Sequence, residues 1–341
     1  MMYLSREGPL SKIYLQFEDK FINQELSFYT YSRDAIHEIL KTNKINSDDE
    51  IILPNFICST VIEVIINITE KIKFYDINNE LNYCENEIAQ LISSKTKLIF
   101  FVDYFGVQSS VSDKLQKKLK IKNIIIVKDA AHSFLTEVDN DFIKNYDYDY
   151  LISSIYKNIP LQVGSIAIGN FDNKKNFINL FILIKRFLVL FAKNLIYFLG
   201  LQKFLHTQLY DIKVSTSDYK SSSYGTNAYK IYYAFLKKID FKKIISERQD
   251  LTNKFDDFIR NKTNLLPIFN STLVKKNVLQ AYPVILQSKI DRDILLKKLI
   301  DNKIDAYTWP TFHSINCNEA LWSRLLLLPI DNRVLKVISN V

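Results

Sequence analysis

The sequence predicts an α/β fold in which a mainly parallel sheet is covered by helices on both faces. Short, almost wholly apolar runs alternate with segments of helical spacing through the first half of the 341-residue chain, and strands buried on both faces have that composition. Polar residues directly follow several apolar runs, which is where ligands bind in such sheets. The second half mixes helices and strands, and this predicts a small α+β domain at the carboxyl end.

Each element of the first half follows from its own pattern. Apolar residues at helical spacing predict helices at residues 32–42, 60–68, 84–93 and 112–119. Apolar runs predict strands at residues 51–53, 72–75, 98–102 and 124–127, and a return strand at 165–168. Ser32 is placed to cap the first helix, whose free N–H groups would then face a phosphate; simple capping is the alternative.

The second half predicts a different organisation. A lysine-rich helical pattern predicts one long helix over residues 229–258. Further along, residues 282–286 and 304–309 read as strands and residues 292–301 as a helix. Together with the chain length, these elements predict a large domain at residues 1–240 and a small domain at residues 241–341.

An acid and a lysine, Asp129 and Lys157, each stand just past an apolar run. Ligands bind beyond the carboxyl ends of such strands, so both side chains are expected at one site. The pair is what pyridoxal 5'-phosphate (PLP) needs, since a lysine amine bonds to its aldehyde and a carboxylate keeps its pyridine nitrogen protonated. For these two residues alone, the alternative is an ordinary strand-end acid and an exposed lysine.

Six segments, in order from about residue 30 to about residue 335, resemble the DegT/StrS-type aminotransferases. These are PLP enzymes of fold type I that mostly aminate keto-sugars on nucleotide carriers. Residues 129–132 (Asp-Ala-Ala-His) are similar to the segment whose acid faces the pyridine nitrogen, and residues 153–160 resemble the serine-containing run into the lysine. The other four segments are residues 49–56, 74–77, 102–106 and 304–313. The resemblance implies a sheet of the seven-stranded type in the large domain, and the predicted long helix resembles the one that links the two domains.

Three departures from the family pattern stand beside this resemblance. Gln162-Val163-Gly164-Ser165 replaces the Gly-Glu-Gly-Gly that follows the lysine, and residues 31–34 lack the glycine of a Ser-Gly-Thr/Arg turn. The Asn-x-Arg run that reaches the phosphate of the neighbouring subunit is not recognisable, and Ser221-Ser222-Ser223 sits near its place. These departures leave the substrate open.

The resemblance implies catalytic roles for three residues. Lys157 would hold PLP and move a proton during the reaction. Asp129 would stay ionised through its pairing with the pyridinium. His132 would lie beside the ring and support Asp129 or the cofactor hydroxyl, with simple packing as its alternative.

The resemblance also implies residues that bind the cofactor and the substrate. The cofactor-binding set adds Ser32, Arg33, Ser153 and Ser154, and ordinary turn bonding is the alternative for the two strand-end serines. Candidates for binding the substrate are Tyr104, Trp309 and His313, with core packing as the alternative for Trp309.

The function implied is that of a homodimeric aminotransferase. It would move an amino group from an amino acid, glutamate in most of the family, to a keto-sugar on a nucleotide carrier for cell-envelope glycan or related biosynthesis. One alternative is another PLP reaction such as sugar dehydration, but the dehydrase relatives carry His where this chain has Lys157. The other is a catalytically idle homologue kept as a dimeric scaffold or membrane-associated partner, which the missing Gly-Glu-Gly-Gly allows.

Composition agrees with a cytoplasmic enzyme. The three cysteines have no paired spacing, which suits a reducing compartment, and the absence of CxxC or clustered His/Cys patterns predicts no metal site. The first eight residues lack an apolar signal core. The net charge of +8 fits anionic ligands or an anionic surface. Nucleic acid is not expected as a partner, because the lysines are scattered along predicted helix faces.

Residues 177–205 form an unusually apolar stretch that is broken by Lys185-Arg186 and Lys193. No window reaches about 18 uninterrupted apolar residues, so the stretch is not predicted to span a membrane. A helix buried in the core or between subunits is one interpretation. The other is a basic, aromatic-rich helix in peripheral contact with the inner face of an anionic membrane.

Glycine is scarce, with six in the chain. Gly106 and Gly164 lie beside the predicted cofactor, where a side chain would block the backbone position, and plain turn chemistry is an equal alternative. Gly169 and Gly225 are explained by turn chemistry alone.

Overall fold

The computed structural model of the chain describes residues 26–109, 111–140, 148–159, 161–171, 176–198, 225–302, 304–308 and 322–339. Two sheets lie within these residues, one of seven strands and one of three. The strands of the larger sheet are β1 (Leu26–Tyr29), β2 (Glu50–Pro54), β3 (Ile72–Tyr75), β4 (Thr96–Val102), β5 (Ile125–Asp129), β6 (Tyr150–Ser154) and β7 (Ser165–Gly169).

The larger sheet has the strand order β1-β7-β6-β5-β4-β2-β3. Every pairing from β3 to β6 is parallel, whereas β7 runs antiparallel to both β6 and β1. Its central strands are almost entirely buried, as expected for apolar strands with helices on both faces. The predicted fold class is therefore confirmed.

Five α-helices that connect the strands of this sheet lie in the described ranges. They are α1 (Ser32–Thr42), α2 (Ser59–Ile66), α3 (Glu85–Leu91), α4 (Asp113–Ile121) and α5 (Phe134–Asp139). The helices and strands predicted for the first half are all present, with small shifts at their ends.

Helix α1 begins differently from the prediction. Tyr31, not Ser32, is the N-cap residue, and the Tyr31 N–H donates to the Asp34 carboxylate at 3.0 Å. Because Asp34 already satisfies this helix start, the Ser32 hydroxyl is left for other partners and does not act as the cap.

The three-stranded sheet is formed by β8 (Leu265–Pro267), β9 (Tyr282–Leu286) and β10 (Leu325–Leu328), with β9 in the centre and both pairings antiparallel. Its helices are α9 (Ser271–Lys276), α10 (Lys289–Asp301) and α11 (Asn332–Ile338). These elements agree with a small carboxyl-terminal α+β unit. The boundary between residues 240 and 241 stays a prediction.

Two predictions for the second half were wrong. The long helix at residues 229–258 is two helices, α7 (Tyr229–Leu236) and α8 (Phe241–Arg260). It breaks because Asp240 leaves the helical conformation and its carboxylate accepts the Lys243 N–H at 3.0 Å as the N-cap of α8. In the described part of the predicted strand 304–309, residues 304–308 make only one isolated bridge to β10, through Tyr307. The N–H of Ile304 instead bonds back to the end of α10.

Helix α6 (Leu180–Phe198) lies within the apolar stretch. Its inner side includes buried Leu183 and half-buried Phe187, which pack in the same cluster as Phe28 and Tyr31. The outer side is exposed and apolar. We call it the apolar stripe; its members are Phe181, Ile184, Leu188, Phe191, Leu195 and Phe198. A helix long and apolar enough to cross a membrane is not found in the described part of the chain.

Candidate active site

A cavity of about 200 Å³ opens at the carboxyl ends of β5 and β6. Two groups of side chains line it. The lysine cluster consists of Asp129, His132 and Lys157. The arginine cluster consists of Tyr31, Ser32, Arg33, Ser154 and Arg186. The structure thus brings together the predicted catalytic residues and most of the predicted cofactor-binding residues.

Lys157 is the last residue of the 3₁₀ turn Ile155–Lys157, which directly follows β6. Its Nζ lies 3.3 Å from Nε2 of His132. Burial opposes the charge of the amine, but nearby acidic groups, among them Tyr156 and Asp129, outweigh this effect and raise the pKa of Lys157. The amine therefore holds its proton until a reacting group removes it.

Asp129 is the final residue of β5 and lies beside Val102 of β4 and Ile152 of β6. Burial raises the pKa of its carboxyl, although the charge of Lys157 and the N–H of Ala131, at 3.0 Å, both act to lower it. A carboxylate in this position would be stabilised by a further cationic N–H.

His132 is buried and its ring stacks on Phe105, with centroids 5.6 Å apart and an interplanar angle of 11°. Burial, together with the charge of Lys157, lowers the pKa of His132 well below its ordinary value. The imidazole is therefore neutral, and its Nε2 can accept a hydrogen bond from the Lys157 amine.

In the arginine cluster, hydroxyl groups meet at the start of α1. The Ser32 hydroxyl lies 2.6 Å from that of Ser154 and 2.9 Å from that of Ser165. Among the described residues, the buried Nε of Arg33 has no hydrogen-bond partner. Arg186, from α6, donates from Nε to the Tyr31 hydroxyl at 3.2 Å.

Two predicted site residues, Ser153 and Tyr104, do not line this cavity. The Ser153 hydroxyl is buried and donates to the carbonyl of Ala130 at 2.7 Å. The Tyr104 hydroxyl donates to the carbonyl of Phe56 at 2.7 Å. Trp309, His313 and the Ser221-Ser222-Ser223 run lie outside the described residues.

Beneath the cavity, Asp103 belongs to a buried ion network. Lys128 Nζ lies 2.6 Å from the Glu137 carboxylate and 3.2 Å from that of Asp103, and Ser133 donates to Asp103 at 2.7 Å. Buried charges need partners of this kind. The network holds Ser133, the neighbour of His132, in place. The Asp103 carboxylate is paired with Lys128 in this network.

Sequence reasoning missed several residues around Lys157. Gln280 Nε2 lies 3.5 Å from the Lys157 carbonyl, and the Tyr307 hydroxyl donates to Oε1 of Gln280 at 2.9 Å. Arg248 donates to the carbonyl of Asn158 at 3.4 Å. Arg186 was also missed. The only sign of it in the sequence was a cationic residue within an apolar stretch.

Gly106 and Gly164 occupy positions that exclude a side chain. Both have positive φ angles, +106° and +116°. A Cβ on Gly106 would stand 2.5 Å from the carbonyl oxygen of Val278, and a Cβ on Gly164 would overlap the ring of Tyr232. Close backbone approach therefore adds to turn chemistry at these two glycines.

The residues present fit PLP. A half-buried amine and a buried carboxylate suit its aldehyde and pyridine nitrogen. The orphaned Nε of Arg33, with Arg186 lining the same cavity, suits its phosphate. A seven-stranded sheet of this topology, with a lysine and an acid at its strand ends, defines the class of fold type I enzymes.

Comparisons with known proteins agree with this class. Residues 28–173 match the model of the DegT/DnrJ/EryC1/StrS aminotransferase family. The matched region contains both Asp129 and Lys157. Over these residues the chain resembles the family, which confirms the predicted resemblance and agrees with the predicted enzyme class, an aminotransferase. None of the curated proteins matches the chain.

Solved structures show the same fold, with alignments that cover 98% of this chain. Aminotransferase TlmJ from Streptoalloteichus hindustanus has a TM-score of 0.68 at 13% identity, over 90% of its length. The putative sugar aminotransferase Spr1654 from Streptococcus pneumoniae, in its PMP form, has a TM-score of 0.67 at 17% identity, over 91%. Helicobacter pylori PseC, an aminotransferase involved in the biosynthesis of pseudoaminic acid, has a TM-score of 0.65 at 17% identity, over 92%.

Proposed function

We propose that the protein is a PLP-dependent sugar aminotransferase whose amino donor is an amino acid, glutamate by resemblance, and whose acceptor is a keto-sugar on a nucleotide carrier. The observation that supports this most is the lysine cluster, in which an amine, a carboxylate and a neutral imidazole meet at the strand ends of one cavity. Envelope glycans are the product class that the resemblance suggests.

When bound, PLP accepts the electron pair that remains after a proton leaves the donor Cα. The chain supplies the proton transfers and the charge. Lys157 Nζ would hold the cofactor covalently and, once displaced by the donor amine, would carry the proton from the donor Cα to the cofactor carbon. Its raised pKa means that attachment must release a proton from Nζ.

Asp129 and His132 would keep the site in the correct protonation state. The Asp129 carboxylate, whose pKa is raised by burial, gains from a cationic N–H beside it. His132 stays neutral and holds the free Lys157 amine in place through Nε2. Water is excluded on this side because both residues are buried.

The test is cofactor capture by the purified protein. With PLP, the wild type should absorb near the edge of the visible range, and borohydride reduction followed by peptide mapping should label the Lys157 peptide alone. Lys157→Ala should lose this absorbance and the label. A wild type that takes up no PLP would favour the idle homologue, and labelling at another lysine would refute the assigned site.

The resemblance and the apolar stripe support the further proposal of a homodimer. The stripe repeats at intervals of three and four residues along α6, the spacing at which helices pack against each other. An exposed apolar surface of this kind favours burial against a partner, and a second copy of the chain is the partner we propose.

Light scattering after size exclusion tests the homodimer. Leu188→Asp and Phe191→Asp should release monomers, because both side chains are exposed on the stripe. Lys185→Asp, a charge change on the same helix outside the stripe, is the control. A wild-type monomer would refute the homodimer. Loss of binding to phosphatidylglycerol vesicles in the two stripe variants, with their dimer intact, would favour the membrane interpretation.

A further inference from the structure

One cation of the arginine cluster, Arg186, lies outside the six segments that resemble the family and outside the residues that match its model. Arg186 lies on α6, between two apolar runs, and its guanidinium reaches back to the cavity that holds Lys157. Its Nε donates to the Tyr31 hydroxyl at 3.2 Å. The Tyr31 ring also contacts Tyr156, the neighbour of Lys157, at a centroid distance of 5.9 Å.

Arg33 approaches the same tyrosine. Its guanidinium carbon lies 4.6 Å from the centroid of the Tyr31 ring, and that of Arg186 lies 5.9 Å from it. Both guanidinium groups therefore contact one ring, and both residues line one cavity. Ser32 and Ser154 line the cavity with them and offer hydroxyl groups as further donors.

The charges of this cluster are not balanced within the described residues. No carboxylate there forms an ion pair with Arg33 or Arg186. The carboxylates that line the cavity are Asp103, which pairs with Lys128, and Asp129, which interacts with Lys157. Two guanidinium groups that contact the same ring repel each other, and like charges repel more strongly near a protein surface than in bulk water. An anion between the two guanidinium groups would remove this repulsion.

The hydroxyls and the two planar guanidinium groups are donors suited to a phosphate, which accepts paired hydrogen bonds from arginine. We propose that Arg186, together with Arg33, binds the phosphate of the cofactor within one subunit. Arg186 would take over the task that the resemblance assigns to a neighbouring subunit's Asn-x-Arg run, which is not recognisable in the sequence. The inference rests on the proposed PLP function.

The first experiment compares ligands with and without a phosphate. Dissociation constants for PLP, pyridoxal and UDP are measured on the full-length apo-protein and on Arg186→Gln. The control is Lys185→Gln, which removes the same charge from the adjacent, exposed residue. Loss of a charged hydrogen bond should weaken PLP binding by about 10-fold or more. Pyridoxal binding should be unchanged, and Lys185→Gln should match the wild type.

Each other outcome identifies what has failed. A wild type that binds no PLP refutes the proposed function, and this inference with it. A wild type that binds PLP at Lys157 while Arg186→Gln binds it equally well refutes the inference alone. Weaker UDP binding with unchanged PLP binding would assign the arginines to the substrate phosphates, and an equal loss for PLP and pyridoxal would mean a general distortion. Both results overturn the proposal.

A second experiment tests whether Arg186 acts in its own subunit. Arg186→Gln and Lys157→Ala proteins are mixed after mild dissociation, and PLP capture is measured by borohydride labelling at limiting PLP. If Arg186 served a neighbouring subunit, mixed dimers would contain one complete site and capture would recover. We expect no recovery, because each subunit would lack one member of its own site. Random reassociation of equal amounts would complete about a quarter of all sites, so recovery towards a quarter of the wild-type labelling would overturn the single-subunit assignment.

Discussion

The two clusters that line the cavity are built in different ways. The lysine cluster comes from adjacent parallel strands, so the pairing of β5 with β6 places Asp129 beside the turn that carries Lys157. The arginine cluster joins α1, β6 and α6, and its Tyr31–Arg186 contact spans 155 positions of the chain. Regular strand pairing thus positions the reactive groups, whereas the proposed anion site depends on how α6 packs against the start of α1.

The reactive groups also differ from Arg186 in burial. Asp129 and His132 are buried, and burial shifts the pKa of both, whereas the pKa of Lys157 is raised by the acidic groups around it. Arg186, in contrast, is exposed. Changes in the first cluster should therefore affect chemistry and protonation, and changes in the second should affect ligand affinity.

The largest effect is expected for Asp129→Asn, which removes the charge and keeps the shape. The reaction of the PLP-loaded protein with glutamate, followed by absorbance, should slow by about 10²–10³-fold, as when an electrostatic group is lost from other active sites. Circular dichroism should show an unchanged fold. Near-normal rates would mean that Asp129 does not face the pyridine nitrogen.

A smaller effect is expected for Gly106→Ala, which acts on the backbone behind the lysine cluster. Its positive φ and the Val278 carbonyl at 2.5 Å should destabilise the fold by roughly 1–3 kcal/mol in urea unfolding. Gly225→Ala is a matched control, because φ is +116° there but the nearest atom is a side-chain nitrogen at 3.2 Å. Equal losses in both variants would show that the backbone contact of Gly106 contributes nothing.

The pH dependence of the unfolding free energy should show whether His132 is neutral in the folded protein. Its folded-state pKa is depressed below the unfolded value near 6.5, so the stability it contributes is present above pH 6.5 and is lost as the pH falls towards the folded-state pKa. The slope is at most about 1.4 kcal/mol per pH unit. The difference in unfolding free energy between wild type and His132→Asn, measured from pH 7.5 to 5, isolates this contribution. A difference independent of pH would contradict the neutral His132.

The smallest expected effect distinguishes the roles of Ser32 and Ser153. Ser32→Ala removes hydroxyl contacts to Ser154 and Ser165 in the arginine cluster, and Ser153→Ala removes a buried bond to Ala130. Each should cost about 1 kcal/mol of stability. Only Ser32→Ala should also weaken PLP binding several-fold, because only Ser32 lines the cavity. An equal loss of PLP affinity in both variants would contradict the assignment.

Much of the fold could be predicted because its signals are local. Apolar strands, helical spacing and the residues that end each strand placed Asp129 and Lys157 correctly in one site. The break at Asp240 was missed because one capping residue interrupts an otherwise continuous helical pattern. Ser153 and Ser154 could not be told apart, since neighbouring strand residues face opposite sides and the pattern does not say which side holds the ligand.

Arg186 was beyond prediction for another reason. Most of its neighbours along the chain are apolar. Its hydrogen-bond partner, Tyr31, belongs to a distant segment of the sequence. The role of such a residue can be inferred only when the packing of α6 against the start of α1 is known. The same limit applies to Gln280 and Tyr307, which reach Lys157 from the segments around β9 and β10.

The left-handed backbone at Phe105, with φ of 55°, has a consequence for motion. Its carbonyl accepts the N–H of Gln280 at 2.8 Å, and its ring stacks on His132. Because Gln280 lies two residues before β9, a rotation of the three-stranded sheet would pull on Phe105 and shift its ring over the imidazole. The chemical shifts of the His132 ring protons, which depend on the position of the Phe105 ring, would then report this movement of the three-stranded sheet in NMR spectra. A His132 resonance that stays constant on adding ligands that close the cavity would show that the two sheets move independently.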